Sequence, residues 1–313
     1  MQNTLLAVSA PPFWHCGRTI LKSNVTFLIA LLPAVIMAGV NWGIPALRVM
    51  ALSAATAVAA EALGSRMTGR PLRIDNFDAV LIGLLFAFML PASAPWWLVM
   101  FGSAVSILIG KIAFGGLGTS PLCSPLIGWA ALFISWPLFM DPNTAELTTS
   151  FIDPLVRLKY FGAAAVQDLN LADLLLGRQI GALGASQIAA LLIGGIFLCA
   201  RGVVRWEIPF NFLIGVAATA AVFHIAWPEQ YASPLFHLLT GSTVFGAFFL
   251  ATFMSCSPNR ELPMILYGLI GGVLVVLIRN FGAYADGVPF AILLINLLMP
   301  QLEMIRPKPF GGR

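Results

Sequence analysis

The chain has 313 residues, of which 59% are hydrophobic and only 10% charged, with a formal net charge of +4. A soluble domain carries roughly 25% charged residues, so 17 basic and 13 acidic side chains cannot clothe a globule of this size in water. That excludes a soluble enzyme, a disordered chain and a nucleic-acid binder; it leaves a membrane protein whose basic residues gather in cytoplasmic loops.

Residues 1–24 hold Pro11, Pro12, His15, Arg18 and Lys22 and lack the apolar stretch and small-residue cleavage site of a signal peptide. They are predicted to be a cytoplasmic segment. Ten apolar spans follow, at 25–42, 44–63, 78–91, 95–113, 124–140, 181–200, 208–226, 237–255, 263–279 and 285–303, each set against the roughly 20 residues that a bilayer crossing needs. Pro91, Pro125 and Pro137 make spans three and five candidates for broken or partly re-entrant helices, because freed backbone groups in a membrane need neighbours or a cavity. Pro289 stands inside span ten. The fold class is thus all-α and polytopic: a first membrane half at 25–140, an outer connecting loop at 141–180, a second membrane half at 181–303 and a tail at 304–313. Connectors as long as 141–180 are uncommon and usually functional. Within it, Leu169–Leu176 reads equally as a short interfacial helix or as a solvated connector.

The basic residues orient the spans. With the N-terminus inside, twelve of the 17 lie on the cytoplasmic side, Lys111, Arg66, Arg70, Arg73, Arg201, Arg205, Arg260, Arg306, Lys308 and Arg313 among them. Arg48, Arg157, Lys159, Arg178 and Arg279 lie outside, three of them in the long loop, which weighs less in the charge rule. The two halves also resemble each other. Leu108-Ile109-Gly110-Lys111 precedes Phe114-Gly115-Gly116, and Leu277-Ile278-Arg279 precedes Phe281-Gly282-Ala283. Five spans per half would insert the halves in opposite directions, the inverted repeat that places sites at the repeat interface.

Few residues carry chemistry. Arg48 and Glu61 stand near span ends, where snorkelling is the plain reading. No run of buried acids suggests a proton relay. His15, His224 and His237 are far apart and suit no haem pair; His224 and His237, both on the outer side, read as interfacial side chains. Cys16, Cys123, Cys199 and Cys256 form no CxxC pair, hence no metal signature, and read as buried small apolar residues. The cluster Phe114-Gly115-Gly116-Leu117-Gly118 matches no nucleotide-binding pattern; it is either a tight turn or a close backbone approach to a flat ligand. The segment Thr240-Gly241-Ser242-Thr243 opens span eight on the outer side. Thr240 there is a candidate helix cap, and a helix N-terminus also favours a phosphate.

Taken together, Ser9-Ala10-Pro11-Pro12, Leu31-Leu32-Pro33-Ala34, Asp78-Ala79-Val80-Leu81-Ile82-Gly83, Pro95-Trp96-Trp97, the glycine cluster after Lys111, and Asp286-Gly287-Val288-Pro289-Phe290-Ala291 with Asn296 resemble the RnfD/NqrB family of redox-complex membrane subunits. The resemblance covers nearly the whole chain. Lacking a long soluble N-terminal extension, the sequence looks most like the D-type subunit of the ion-translocating Rnf ferredoxin:NAD oxidoreductase. The resemblance implies FMN bound covalently, by a phosphoester to the last threonine of an S/T-G-A-T-type motif. Here that points to Thr243, flanked by Thr240, Gly241 and Ser242, with serine where the family has alanine. It also implies a second, non-covalent flavin such as riboflavin. The partners it implies are other Rnf-type subunits, among them an outer flavoprotein and cytoplasmic iron–sulfur and NAD-binding subunits; the implied location is the bacterial inner membrane. This chain reads Ala251-Thr252-Phe253-Met254 where the family often continues Ala-Thr-Asp-Pro. Arg279, basic on the outer side, is a candidate contact for the FMN phosphate or for lipid phosphate. No catalytic residue and no metal site is expected. The rival reading is an inverted-repeat channel or secondary transporter without flavin.

Overall fold

The computed structural model describes residues 19–69, 74–140, 153–166, 170–177, 179 and 181–305. Ser9–Pro12, His15, Cys16, Arg18, Arg70, Arg73, Arg178, Arg306, Lys308 and Arg313, the first twelve residues of the 141–180 connector, Leu169 and the tail past 305 lie outside the described residues.

Among the described residues the chain is helical throughout. Four helices are long and apolar enough to cross a membrane: α1 (Ile20–Trp42), α2 (Ile44–Met67), α10 (Glu207–Ala226) and α13 (Glu261–Phe281). Shorter apolar helices fill most of the other predicted spans: α3 (Asp78–Phe88), α4 (Trp96–Ile107, continued by a π-helical turn to Ile112), α5 (Ser124–Ser135), α9 (Ile188–Ala200) and α14 (Val288–Glu303). The all-α polytopic expectation therefore holds. Local chemistry explains the breaks. Gly43, at φ 67°, and Pro45 in the first turn separate α1 from α2. Span five stops at Trp136 because Pro137 starts a separate short helix, α6 (Pro137–Met140), the residue before a proline being driven out of helical geometry. Two short helices, α7 (Pro154–Phe161) and α8 (Leu171–Leu175), occupy the described part of the connector. Asp153 caps α7 by accepting the amide of Leu155 at 2.9 Å.

Span eight departs from the expectation of one helix over 237–255. It is α11 (Pro234–Leu239), a turn at Thr240–Ser242, then α12 (Thr243–Phe245) running into a π-helical turn at Gly246–Leu250. The turn needs Gly241 at φ 64°, a conformation that L side chains rarely adopt. Breaking the helix frees backbone carbonyls inside the protein, which must then find donors.

Glycines set the helix crossings. A Cβ at Gly272 of α13 would sit 2.3 Å from the Phe212 carbonyl oxygen of α10, and one at Gly194 of α9 would sit 2.1 Å from the Ala30 carbonyl oxygen of α1. Close backbone approach of this kind supplies the packing that the hydrophobic effect cannot supply between helices in lipid. Between α2, α3 and α4, Ser53 donates to the Gly83 carbonyl at 2.6 Å, and Ser103 donates to the Ser53 carbonyl at 2.8 Å.

Gly272→Ala is accordingly expected to lower the unfolding midpoint of the detergent-solubilised chain by the equivalent of about 1–3 kcal/mol, the usual range for overpacking. Ile225→Ala, on an exposed flank, leaves the midpoint in place. Equal midpoints for the two variants would show that the α10–α13 crossing has room to spare.

Candidate functional site

Two buried cations stand at opposite ends of the bundle. Helix α3 connects them: it begins at Asp78, which ion-pairs with Lys111, and leads to Met89, which lines the cavity beside Ser242 and Asp286.

Arg279 lies in the last turn of α13 and is 5% exposed. The guanidinium is turned inward, so lipid-phosphate contact is not its role. It donates to the His237 carbonyl at 2.8 Å, the Thr240 carbonyl at 3.1 Å, the Thr243 hydroxyl at 2.8 Å and Asp286 Oδ1 at 3.1 Å. Two of these acceptors are the carbonyls freed where span eight breaks. Asp286 in turn accepts the Ser242 amide at 2.9 Å and the Ser242 hydroxyl, and its Oδ1 accepts the Val288 amide at 3.3 Å. A Cβ at Gly241 would lie 2.7 Å from Arg279 Nη2, so this position must be glycine for space as well as for conformation. All five residues expected at the site, Thr240, Gly241, Ser242, Thr243 and Arg279, meet in this cluster. Asp286, which sequence reasoning placed only in a family signature, ties them together. The signal was present: a single acid seven residues beyond the one arginine of the same hairpin.

Three expectations need correction here. Thr240 is not an N-cap: its hydroxyl donates backwards to the Phe236 carbonyl at 2.7 Å, closing α11. The helix that follows is a three-residue turn that becomes π-helical, so the extended N-terminus that would hold a phosphate is not formed. His237 is not interfacial; it is 1% exposed, and its Nδ1 has no hydrogen-bond partner. His224, by contrast, reaches the Tyr231 carbonyl from a half-buried position at 2.9 Å.

Beside this cluster is a cavity of about 430 Å³. Its walls include Trp129, Phe133, Tyr160 and Tyr284, with Ser242 and Asp286 at one side. The aromatic rings are fixed by one another. Trp129 stacks on Phe133 at 4.8 Å, Tyr284 stacks on Phe290 at 4.8 Å, and Phe133 meets Tyr284 edge-on at 4.9 Å. Lys159 of α7 straps the connector to this wall by donating to the Gly282 carbonyl at 2.6 Å and the Tyr284 carbonyl at 2.8 Å. Burial pushes its ammonium below the usual lysine range. Flat, apolar, partly polar-edged walls suit a planar aromatic ligand.

An ester at Thr243 fits this arrangement poorly. Thr243 is 0% exposed and does not line the cavity; Gly241 and Ser242 do. Its hydroxyl lies 3.0 Å from both the His237 and Thr240 carbonyls and already accepts from Arg279.

At the other end, Lys111 is 5% exposed and paired with Glu61 and with Asp78, the latter at 2.8 Å. Glu61 is 7% exposed; it does not snorkel but turns into the protein. Glu61 and Asp78 thus share one lysine, a two-acid cluster and not a run of acids. Arg48 is exposed, as snorkelling requires. A cavity of about 470 Å³ lies beside Lys111, lined in part by Gly115 and Gly116. Their φ values of 114° and 105° account for glycine in the turn. Among the described residues, no three His, Cys, Asp or Glu side chains group to hold a metal, and Cys123 and Cys256 are buried and free.

Residues 7–311 match the model of the NQR2, RnfD, RnfE family. The chain is 32% identical over 346 residues to the D-type subunit of the ion-translocating oxidoreductase complex of Cronobacter sakazakii, covering 98% of this chain and 99% of that protein. It is 32% identical over 352 residues to the protein of the same description from Salmonella typhi, covering 98% of each.

Lys111→Met leaves the buried Glu61 and the half-buried Asp78 without their cation. It is expected to destabilise by about 3–5 kcal/mol, the usual cost of halving a buried pair, and the double variant with Glu61→Gln is expected to recover part of that loss. Thermal unfolding in detergent measures both; strict additivity of the two substitutions would show that the residues do not interact.

Proposed function

From the NQR2, RnfD, RnfE family, to which this chain belongs, we propose that it is a multi-pass membrane subunit of a bacterial ion-translocating oxidoreductase complex of the Rnf type. The observation that carries this reading is end-to-end similarity to the D-type subunits of such complexes, in a helical bundle whose length and apolarity suit a membrane. The finer part of the proposal is a relay of electrons through flavin, coupled within the complex to Na⁺ or H⁺ movement across the inner membrane. The N-terminus lies in the cytoplasm and the Arg279 end faces outward, as the basic residues favour. The proposed partners are the outer flavoprotein, the other membrane subunits and the cytoplasmic iron–sulfur and NAD-binding subunits. An inverted five-plus-five repeat accommodates both buried cations, one closing each half.

The aromatic cavity at the Arg279 end supports a flavin there. Such a cofactor exchanges one or two electrons; the chain supplies position and environment. Trp129, Phe133 and Tyr284 form a preset apolar slot, Lys159 holds its outer wall in place, and Asp286 and Ser242 offer a polar edge. A second, non-covalent flavin such as riboflavin belongs to the same proposal without assigned residues.

Affinity purification of the tagged chain from native membranes tests the reading. The expected result is co-purification of the partner subunits together with flavin absorbance, and loss of redox-driven ion transport in membrane vesicles when the chain is deleted. Solute or ion flux through proteoliposomes holding this chain alone, without flavin, would favour a channel or secondary transporter instead.

A further inference from the structure

We infer that Thr243 is a positioning residue rather than the attachment point of a flavin. Its hydroxyl locks Arg279, and whatever flavin this chain holds occupies the aromatic cavity without a bond to that oxygen. The inference rests on the proposed flavin reading only for its second half; the lock stands on geometry alone.

The lock is closed on every side. The Thr243 hydroxyl has one proton and two carbonyl acceptors at 3.0 Å, on His237 and Thr240. One of its two acceptor lone pairs takes Arg279 at 2.8 Å. Forming a phosphoester would replace that proton with phosphorus. It would withdraw the donation to the carbonyls and insert a tetrahedral group at a fully buried oxygen. The turn in front is already filled: even the missing Cβ of Gly241 would fall 2.5 Å from Leu155 and 2.7 Å from Arg279. An enzyme delivering FMN needs access to the acceptor oxygen, and Thr243 is 0% exposed. The residue that faces the cavity is its neighbour, Ser242, whose hydroxyl and amide are both held by Asp286.

The same geometry explains why a hydroxyl is needed at 243. Two carbonyls of the broken span, the Asp286 carboxylate and the threonine oxygen are the acceptors of Arg279, one at Nη1 and three at Nη2, while its buried Nε has none. Valine has the shape of threonine but removes the proton that the His237 and Thr240 carbonyls accept. It also removes one of the three acceptors around Arg279 Nη2, which keeps the Thr240 carbonyl and Asp286, so buried hydrogen bonds are lost without replacement. Serine keeps the oxygen.

The test uses the whole complex, co-expressed with a flavin-attaching transferase. It combines fluorescence on a denaturing gel, peptide mapping by fragmentation across residues 240–252, and thermal unfolding of Thr243→Val and Thr243→Ser. Expected are an unmodified Thr243, a Val variant melting about 2–4 °C lower and a Ser variant close to wild type. Flavin that leaves on denaturation, or an adduct mapped to Ser242 or elsewhere, supports the inference. An adduct of FMN less one water on Thr243 overturns it while leaving the flavin reading intact. A preparation with no flavin ends the flavin reading, and the lock is then judged on melting alone. A Val variant that melts with wild type overturns the lock.

Discussion

A guanidinium sealed inside a membrane protein is the constraint around which the Arg279 end is arranged. Removing such a charge from water costs several kcal/mol even after relaxation, and hydrogen bonds to a charged group return roughly 1.5–3 kcal/mol each. Compensation on that scale takes several acceptors, and Arg279 has four on Nη1 and Nη2, with its buried Nε unpartnered. Two come from main chain that an unbroken span would have spent on itself. The interrupted helix and the buried arginine are thus one solution: the break frees the His237 and Thr240 carbonyls, and the arginine satisfies them. Gly241 permits both, because its φ of 64° makes the turn and its absent side chain leaves the space.

The Lys111 end solves the same problem with different chemistry. An ammonium is a compact point charge and a guanidinium a planar fork. Lys111 takes two carboxylates, Glu61 and Asp78, while Arg279 takes one carboxylate and three neutral oxygens. The first cluster carries net negative charge and the second is balanced. Each closes a helix at its own end of the bundle and each adjoins a cavity.

Much of this was legible in the sequence. Ten apolar stretches and the scarcity of charge specified a helical membrane protein, and nine of the stretches are helices close to where hydropathy placed them. The segment Thr240–Thr243 and the unusual arginine were also visible as site candidates. What was hidden is the direction in which polar side chains turn. Glu61 and Arg48 occupy equivalent places near span ends; one is buried against Lys111 and the other is exposed. No local pattern separates them, because the deciding partners lie 50 residues away, at Lys111 for Glu61. The break in span eight was hidden for a related reason. Phe245 to Leu250 reads as uninterrupted apolar helix, and only the pull of Arg279 on the carbonyls before it reveals the turn.

The position of Thr243 shows why a short motif constrains function less than its surroundings do. On either side of Gly241, Thr240 and Thr243 bear chemically similar hydroxyls, yet both point into the protein and both serve main-chain carbonyls. Ser242, which the motif treats as a spacer, is the one beside the cavity. Reactivity at a hydroxyl requires access and a free lone pair as well as the right letter in the sequence. In this chain the Thr243 oxygen is fully buried and already bonded to Arg279 and two carbonyls, and on the inference above it is a structural group and not a reacting one. The aromatic slot is instead shaped by packed rings, and the arginine contributes by holding the slot's edge, Asp286 and through it Ser242, in register.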